Sequence, residues 1–222
     1  MYAILDIETT GGQYNEEGIT EIAIYKFDGH EVVDQFISLV NPEKPIQPFV
    51  VKLTGINNAM LRSAPKFYEV AKRIIEMTEG CIVVAHNASF DYRILQTEFR
   101  RLGFRFHKQT LCTVELSKKL LPGHESYSLG KLVRALGIPM ADRHRASGDA
   151  MATVKLFKML LAQDIEKEIV KSLVKTEIKS GMSPKLLDIV ENLPSRTGIY
   201  YIHNEKGDLI YIGKSKNIKK RV

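Results

Sequence analysis

Asp6 and Glu8 stand two residues apart at the end of an apolar run, residues 2–7. In an extended chain that spacing puts both carboxylates on one face. Two acids at the end of a buried strand are costly unless something offsets their charge. A divalent cation would do so, and oxygen ligands from Asp and Glu suit Mg²⁺ or Mn²⁺ rather than zinc. Taken alone, exposure of both acids to water is the better account of the pair. Two further acids shift the balance. Asp91 follows a second apolar run and falls in the opening turn of a helix, and Asp149 falls in the first turn of another. Each by itself is explained equally by a negative charge favouring a helix N-terminus.

The elements that must position these side chains can be traced by periodicity. Residues 2–7 read as a buried strand ending at Gly11-Gly12, and 19–27 and 32–40 as two more, joined by the hairpin dipeptide Asp28-Gly29. Three antiparallel strands result, followed by a loop rich in proline (Pro42, Pro45, Pro48). Val70, Ile74, Ile75 and Met77 recur at helical spacing; 81–85 is a short strand; 88–102 is a helix; 110–113 is a short strand. Helices are expected around Leu116–Leu121, closed by Pro122-Gly123, and over 129–136. Ala150, Val154, Phe157 and Leu161 mark a final amphipathic helix. Strands first, then alternating helix and strand, predict an α/β fold with a mixed five-stranded sheet flanked by helices.

Bulk properties set limits. The chain has 222 residues, a net charge of +6 and a pI near 9.2, which suits a polyanionic partner without requiring one. Cys81 and Cys112 make no ligand pattern and read as reduced core thiols. No apolar stretch approaches membrane-spanning length. The start, MYAILDIETTGG, lacks the basic and apolar segments of a signal peptide. The expected location is the cytoplasm, with no membrane contact.

Three segments, DIETTG at 6–11, HNASFD at 86–91 and HRASGD at 144–149, resemble, in order, the three motifs of the DEDDh exonucleases, particularly the epsilon-type proofreading enzymes. The resemblance covers residues 1–163. It implies a ribonuclease H-like fold in which Asp6, Glu8, Asp91 and Asp149 hold two Mg²⁺ or Mn²⁺ ions and His144 is the general base. The chemistry agrees: phosphodiester hydrolysis needs a deprotonated water, a stabilised phosphorane-like charge and an accommodated leaving alkoxide. A neutral imidazole can accept the proton near neutral pH. Thr54-Gly55-Ile56 matches a family segment that packs on the terminal nucleotide, and Thr9, Thr10, Gly11 and Asn87 are placed to help bind it. Leu53, Ile56 or Phe90 could wedge against terminal bases. The implied reaction releases nucleoside monophosphates from single-stranded or frayed 3′ ends of DNA, in proofreading or repair beside a polymerase or repair complex. Short RNA as substrate, or a non-catalytic module, are the rival readings; intact acids and His144 speak against the second.

Residues 164–193 are charged, helix-prone and broken at Gly181 and Pro184, and read as a helical linker. Beyond it, Gly198-Ile199-Tyr200 and Tyr211-Ile212-Gly213, with Lys214 and Arg221, resemble the two halves of a GIY-YIG nuclease motif on a hairpin. That resemblance spans only about 25 residues and stops before the family's metal-binding glutamate. Residues 194–222 are therefore expected to be an inactive N-terminal fragment of such a domain.

Overall fold

The computed structural model describes residues 1–176, 192–204 and 206–221. It divides into two compact units, Met1–Glu177 and Ile178–Val222.

The first unit is built on a five-stranded sheet in the order β3-β2-β1-β4-β5. These strands are β1 (Tyr2–Thr9), β2 (Ile19–Phe27), β3 (Val32–Leu39), β4 (Ile82–Ala85) and β5 (Thr110–Cys112). β1, β2 and β3 are antiparallel neighbours, and β4 and β5 run parallel to β1, so the sheet is mixed as expected. The two central strands are covered on both faces, which is why they read as nearly unbroken apolar runs. Ala3, Leu5 and Ile7 of β1 face one core, with helices α3 (Phe67–Thr78) and α4 (Ala88–Arg101). Tyr2 and Ile4 face the other, with α5 (Thr113–Leu120), α6 (Leu129–Ala135) and α7 (Ala146–Gln163). Phe157 of α7 meets Tyr2 edge-on at 4.9 Å between ring centres. Each large side chain buried this way contributes roughly 1.5–3 kcal/mol.

Period two then dictates where the acids go. Residues 2 and 4 point toward α7, so Asp6 and Glu8 continue that face beyond the apolar stretch. Pairing of β1 with β4 covers only Tyr2–Ile4. Further along, the Ile7 N–H is taken by the Asp91 carboxylate, which α4 brings from the opposite core.

Two departures from the sequence reading have physical causes. The proline-rich loop contains two short helices, α1 (Pro48–Thr54) and α2 (Asn58–Leu61). Proline is tolerated at a helix start because its missing N–H would have no partner there, and Asn57 caps α2 by accepting from the N–H groups of Ala59 and Met60. The segment after residue 163 packs on the first unit instead of leaving it. α8 (Glu168–Leu173) buries Val170 in the α7-side core, and Lys175 exchanges both backbone hydrogen bonds with Thr110 at the β5 edge. The rest of the expected linker, 177–191, lies outside the described residues.

The described residues of the second unit form a hairpin of β6 (Gly198–His203) and β7 (Leu209–Ser215), followed by a turn of helix, α9 (Ile218–Arg221). Among the described residues no helix is long and apolar enough to cross a membrane.

Candidate active site

Asp6, Glu8 and Asp149 each offer a carboxylate oxygen, and these atoms lie within 4.8 Å of one another. All three residues are half-buried. β1 supplies the first two, and α7 aims Asp149 at them from its first turn. Asp91 stands beside this trio with Oδ1 accepting from Ile7 N at 3.1 Å.

So many acids in one place resist ionisation. Burial, then Asp91, Asp149, Glu8 and Glu21, hold the Asp6 carboxyl well above the ordinary carboxylate range. Burial, then Asp149, Glu21 and Asp91, push Glu8 up to about 8, with Arg145 opposing. Burial raises Asp91 to about 8 against the opposing hydrogen bond from Ile7 N–H. Burial also raises Asp149, which the His144 N–H opposes by donating to Oδ2 at 3.2 Å. The second oxygen of Asp149, Oδ1, is buried without a hydrogen-bond partner. A buried lone pair left open, in an all-oxygen donor set, fits a hard divalent cation such as Mg²⁺ or Mn²⁺.

His144 is half-buried with a left-handed backbone, φ 63°. Its loop is pinned onto α7: a side chain at Gly148 would strike the carbonyl oxygens of Ala141 and Asp142. Only glycine lets the loop lie that close, so the HRASGD spacing is set by contact as well as chemistry. Asn87 makes the corresponding turn between β4 and α4. It adopts φ 78°, which asparagine tolerates better than most residues, and it is exposed, accepting from Ser89 Oγ. The His86 ring is structural, bridging Thr113 Oγ1 at 2.9 Å and the Tyr127 carbonyl at 2.8 Å. Burial pushes its pKa down and favours the neutral ring.

The expected substrate contacts fare unevenly. Thr10 is 1% exposed and its hydroxyl is spent locally, donating to Gly11 O and accepting from Gly18 N. Thr9 Oγ1 accepts from Gly11 N. Gly11, at φ 67°, lies under α1, where an added Cβ would meet Val50 Cγ2 at 2.9 Å. Thr54 and Ile56 do not reach solvent. The Thr54 hydroxyl closes α1 by donating to Val50 O, and Ile56, 0% exposed, fills a small core with Ile46, Val50 and Leu61. Their burial makes these side chains supports for the neighbouring surface. The exposed apolar groups of this region are Phe49, whose ring lies against Gly11, and Leu53.

Sequence reasoning passed over Glu21, Arg145 and the Arg93–Glu17 pair. Arg93 on α4 holds Glu17 at 2.8 Å and Asn15 at 3.2 Å and lies 4.3 Å from the Tyr14 ring centre, fixing the loop after the Thr9–Gly12 turn. The available signal for Glu21 was a single acid, buried by its place within the apolar strand Ile19–Phe27.

In the second unit, Tyr200 pairs with Gly213 across the hairpin, and its ring covers that glycine: an added Cβ would strike Tyr200 Cζ. The Tyr200 and Tyr211 rings stand 5.9 Å apart. Arg221 Nε donates to Tyr200 Oη at 3.0 Å, and that hydrogen bond lowers the phenol's pKa. Lys214 is exposed.

A mixed sheet that gathers carboxylates at the end of its central strand, with a histidine at the edge of the cluster, is the framework of a ribonuclease H-like nuclease. The chain belongs to the exonuclease family, whose model matches residues 3–157. It is 37% identical over 162 residues to the 3′-5′ exonuclease DinG of Staphylococcus aureus (strain USA300), covering 72% of this chain and 18% of that protein. It is 32% identical over 235 residues to a putative bifunctional exonuclease/endonuclease protein of Mycobacterium tuberculosis (strain CDC 1551 / Oshkosh), covering 100% of this chain and 36% of that protein. The chain thus spans well under half the length of either relative. Exonuclease X, solved in complex with 5′ overhanging duplex DNA, superposes with a TM-score of 0.59 at 29% identity, covering 84% of this chain and 96% of that one.

Proposed function

We propose that this chain removes nucleoside monophosphates stepwise from 3′ ends of DNA, with Asp6, Glu8, Asp91 and Asp149 holding two Mg²⁺ or Mn²⁺ ions. The observation that carries the reading is the cluster of Asp6, Glu8 and Asp149 carboxylates, with oxygens within 4.8 Å of one another, in which Asp149 also keeps a buried oxygen without a hydrogen-bond partner. The ions would stabilise the charge on the phosphate under attack and on the departing oxygen. The chain's own part is positional and protonic. The four acids would hold the ions that receive the terminal phosphate. His144, placed beside Asp149, takes the proton from the attacking water as a neutral imidazole. Exposed Phe49 and Leu53, beside the Gly11 turn, offer apolar surface to the terminal bases. The DNA reading leans on exonuclease X, whose partner is an overhanging duplex.

Digestion of 5′-labelled DNA and RNA oligonucleotides with Mg²⁺ or Mn²⁺ tests this. A ladder shortening from the 3′ end is expected, with DNA cut faster, and His144→Ala should slow it by roughly 10²–10⁴-fold. Faster cutting of RNA would move the substrate class, and no cutting of either would remove the function.

The second unit supports a second reading, the opening hairpin of a GIY-YIG nuclease. Its support is the Tyr200–Tyr211–Arg221 cluster packed over Gly213, together with the exonuclease/endonuclease relative matched along the whole chain. The fragment is expected not to nick supercoiled DNA, and Arg221→Ala should leave the 3′ ladder unchanged; nicking by this chain that Arg221→Ala abolishes would overturn the expectation of an inactive fragment.

A further inference from the structure

Glu21 is 2% exposed, on the α7-facing side of β2 and directly across from Glu8 in the β1–β2 register. A carboxylate so placed adds a negative charge to a site already crowded with them, and it needs a structural reason to be there. Its hydrogen bonds supply one. Oε1 accepts from Arg145 Nη2 at 2.6 Å, and Oε2 accepts from Arg145 Nε at 3.0 Å and from the backbone N–H of Ala146 at 2.8 Å. Ala146 is the first residue of α7, and the helix has no cap from its own Arg145 side chain. The strand residue therefore caps the helix from 125 positions away in sequence. Tyr25, on the same face of β2, leans its hydroxyl toward the Ser147 carbonyl at 3.4 Å. The residues gripped, Arg145 and Ala146, sit between His144 and Asp149.

We propose that Glu21 and Arg145 are a positioning pair for the reaction. By capping α7 from β2 and gripping the residue after His144, they fix His144 and Asp149 against Asp6 and Glu8. The fork of a guanidinium on a carboxylate constrains direction as well as distance, which a lone charge does not. This rests on the exonuclease reading for its kinetic readout but not for its binding readout.

The two partners carry opposite charges, and that separates positioning from a field effect. If only charge mattered, Glu21→Gln and Arg145→Ala would move Mn²⁺ affinity and turnover in opposite directions. Positioning requires both to lower kcat by about 10–100-fold with KM changed less than about threefold, a loss confined to the transition state. The double variant should be no worse than the poorer single one, because one geometry is lost once. Arg145→Lys, which keeps the charge and loses the fork, should recover less than half the loss on a logarithmic scale. Mn²⁺ titration of the full chain, together with backbone amide shifts of His144 and Asp149, should show weaker Mn²⁺ binding and displaced amides in both single variants. Arg145 is partly exposed, so Arg145→Ala gives a folded variant if the buried Glu21→Gln does not. Opposite signs in the two single variants, additive losses, or unchanged amides and Mn²⁺ affinity would overturn the proposal. If the wild type cuts no nucleic acid, the function reading fails alone, and Mn²⁺ binding with the amide shifts still decides the pair.

Discussion

The two units treat their apolar residues in opposite ways. In Met1–Glu177 the sheet is covered on both faces, and the largest side chains, among them Phe27, Phe99 and Phe157, are fully buried. In the hairpin unit, Ile199, Ile202, Leu209, Ile210 and Ile212 are exposed, and among its described residues Ile218 is the buried apolar side chain. Both units nevertheless keep a local cluster of functional types: acids around Asp149 in one, tyrosines and Arg221 in the other. The acid cluster is held by long-range contacts from β1, β2, α4 and α7. The tyrosine cluster is held by the hairpin register and by Arg221 of α9, which hydrogen-bonds the tyrosine pair. A site that concentrates uncompensated charge needs the stiffer frame, since its parts repel one another.

The comparison breaks most sharply at the acids. Asp149→Ala or Asp6→Ala should lower exonuclease turnover on the order of 10³-fold or more. The metal-free melting temperature should hold or rise, because one repelling carboxylate is gone. Near-normal turnover in either variant would take the first unit's site apart.

Gly148→Ala comes next. Its methyl would strike backbone oxygens of Ala141 and Asp142. Such atoms cannot swing aside, so about 1–3 kcal/mol of stability and most of the turnover should be lost as the His144 loop is pushed out. Gly213→Ala strikes the Tyr200 ring instead and should leave the 3′ ladder at its normal rate. Equal loss of exonuclease activity in both variants would mean the two units act as one.

A pH series on the chelated protein sharpens the contrast further. Glu8 and Asp91 titrate at about 8 when folded, far above ordinary carboxylates. The folded state therefore holds protons that the unfolded chain has released, and stability falls as pH rises from about 5 through 8. The melting temperature should drop by at least about 3 °C across that window and recover with Mn²⁺. Glu17, lowered by its bond to Arg93, loses its contribution only at more acid pH and does not blur the window. A flat profile would show that the acids are less crowded than their burial implies.

The smallest effect is expected from deleting 194–222. Every motif residue of the first unit precedes residue 150, so kcat should stay within about twofold at high salt. At low salt KM should rise a few-fold, because Lys214, Lys216 and Arg221 attract phosphate through a screened interaction. Loss of turnover at every salt concentration would erase the separation of the units.

Local chemistry by itself determined the strands and the long helices, since alternation and helical spacing are read within short windows; the acid–histidine set was proposed from the ordered resemblance of three motifs. The segments beginning at Asp6, His86 and His144 carry their own turns, as the left-handed Asn87 and the close-packed Gly148 show. What depended on distant partners could not be read that way. Thr54 and Ile56 look like surface residues until Ile46, Val50 and Leu61 close around them. The segment after residue 163 looks like a charged linker until Val170 finds the α7-side core and Lys175 finds the β5 edge. Glu21 looks like a misplaced charge until Arg145, 124 residues later, folds onto it. Burial and hydrogen-bond satisfaction are properties of what surrounds a residue, and only the tertiary structure decides what that is.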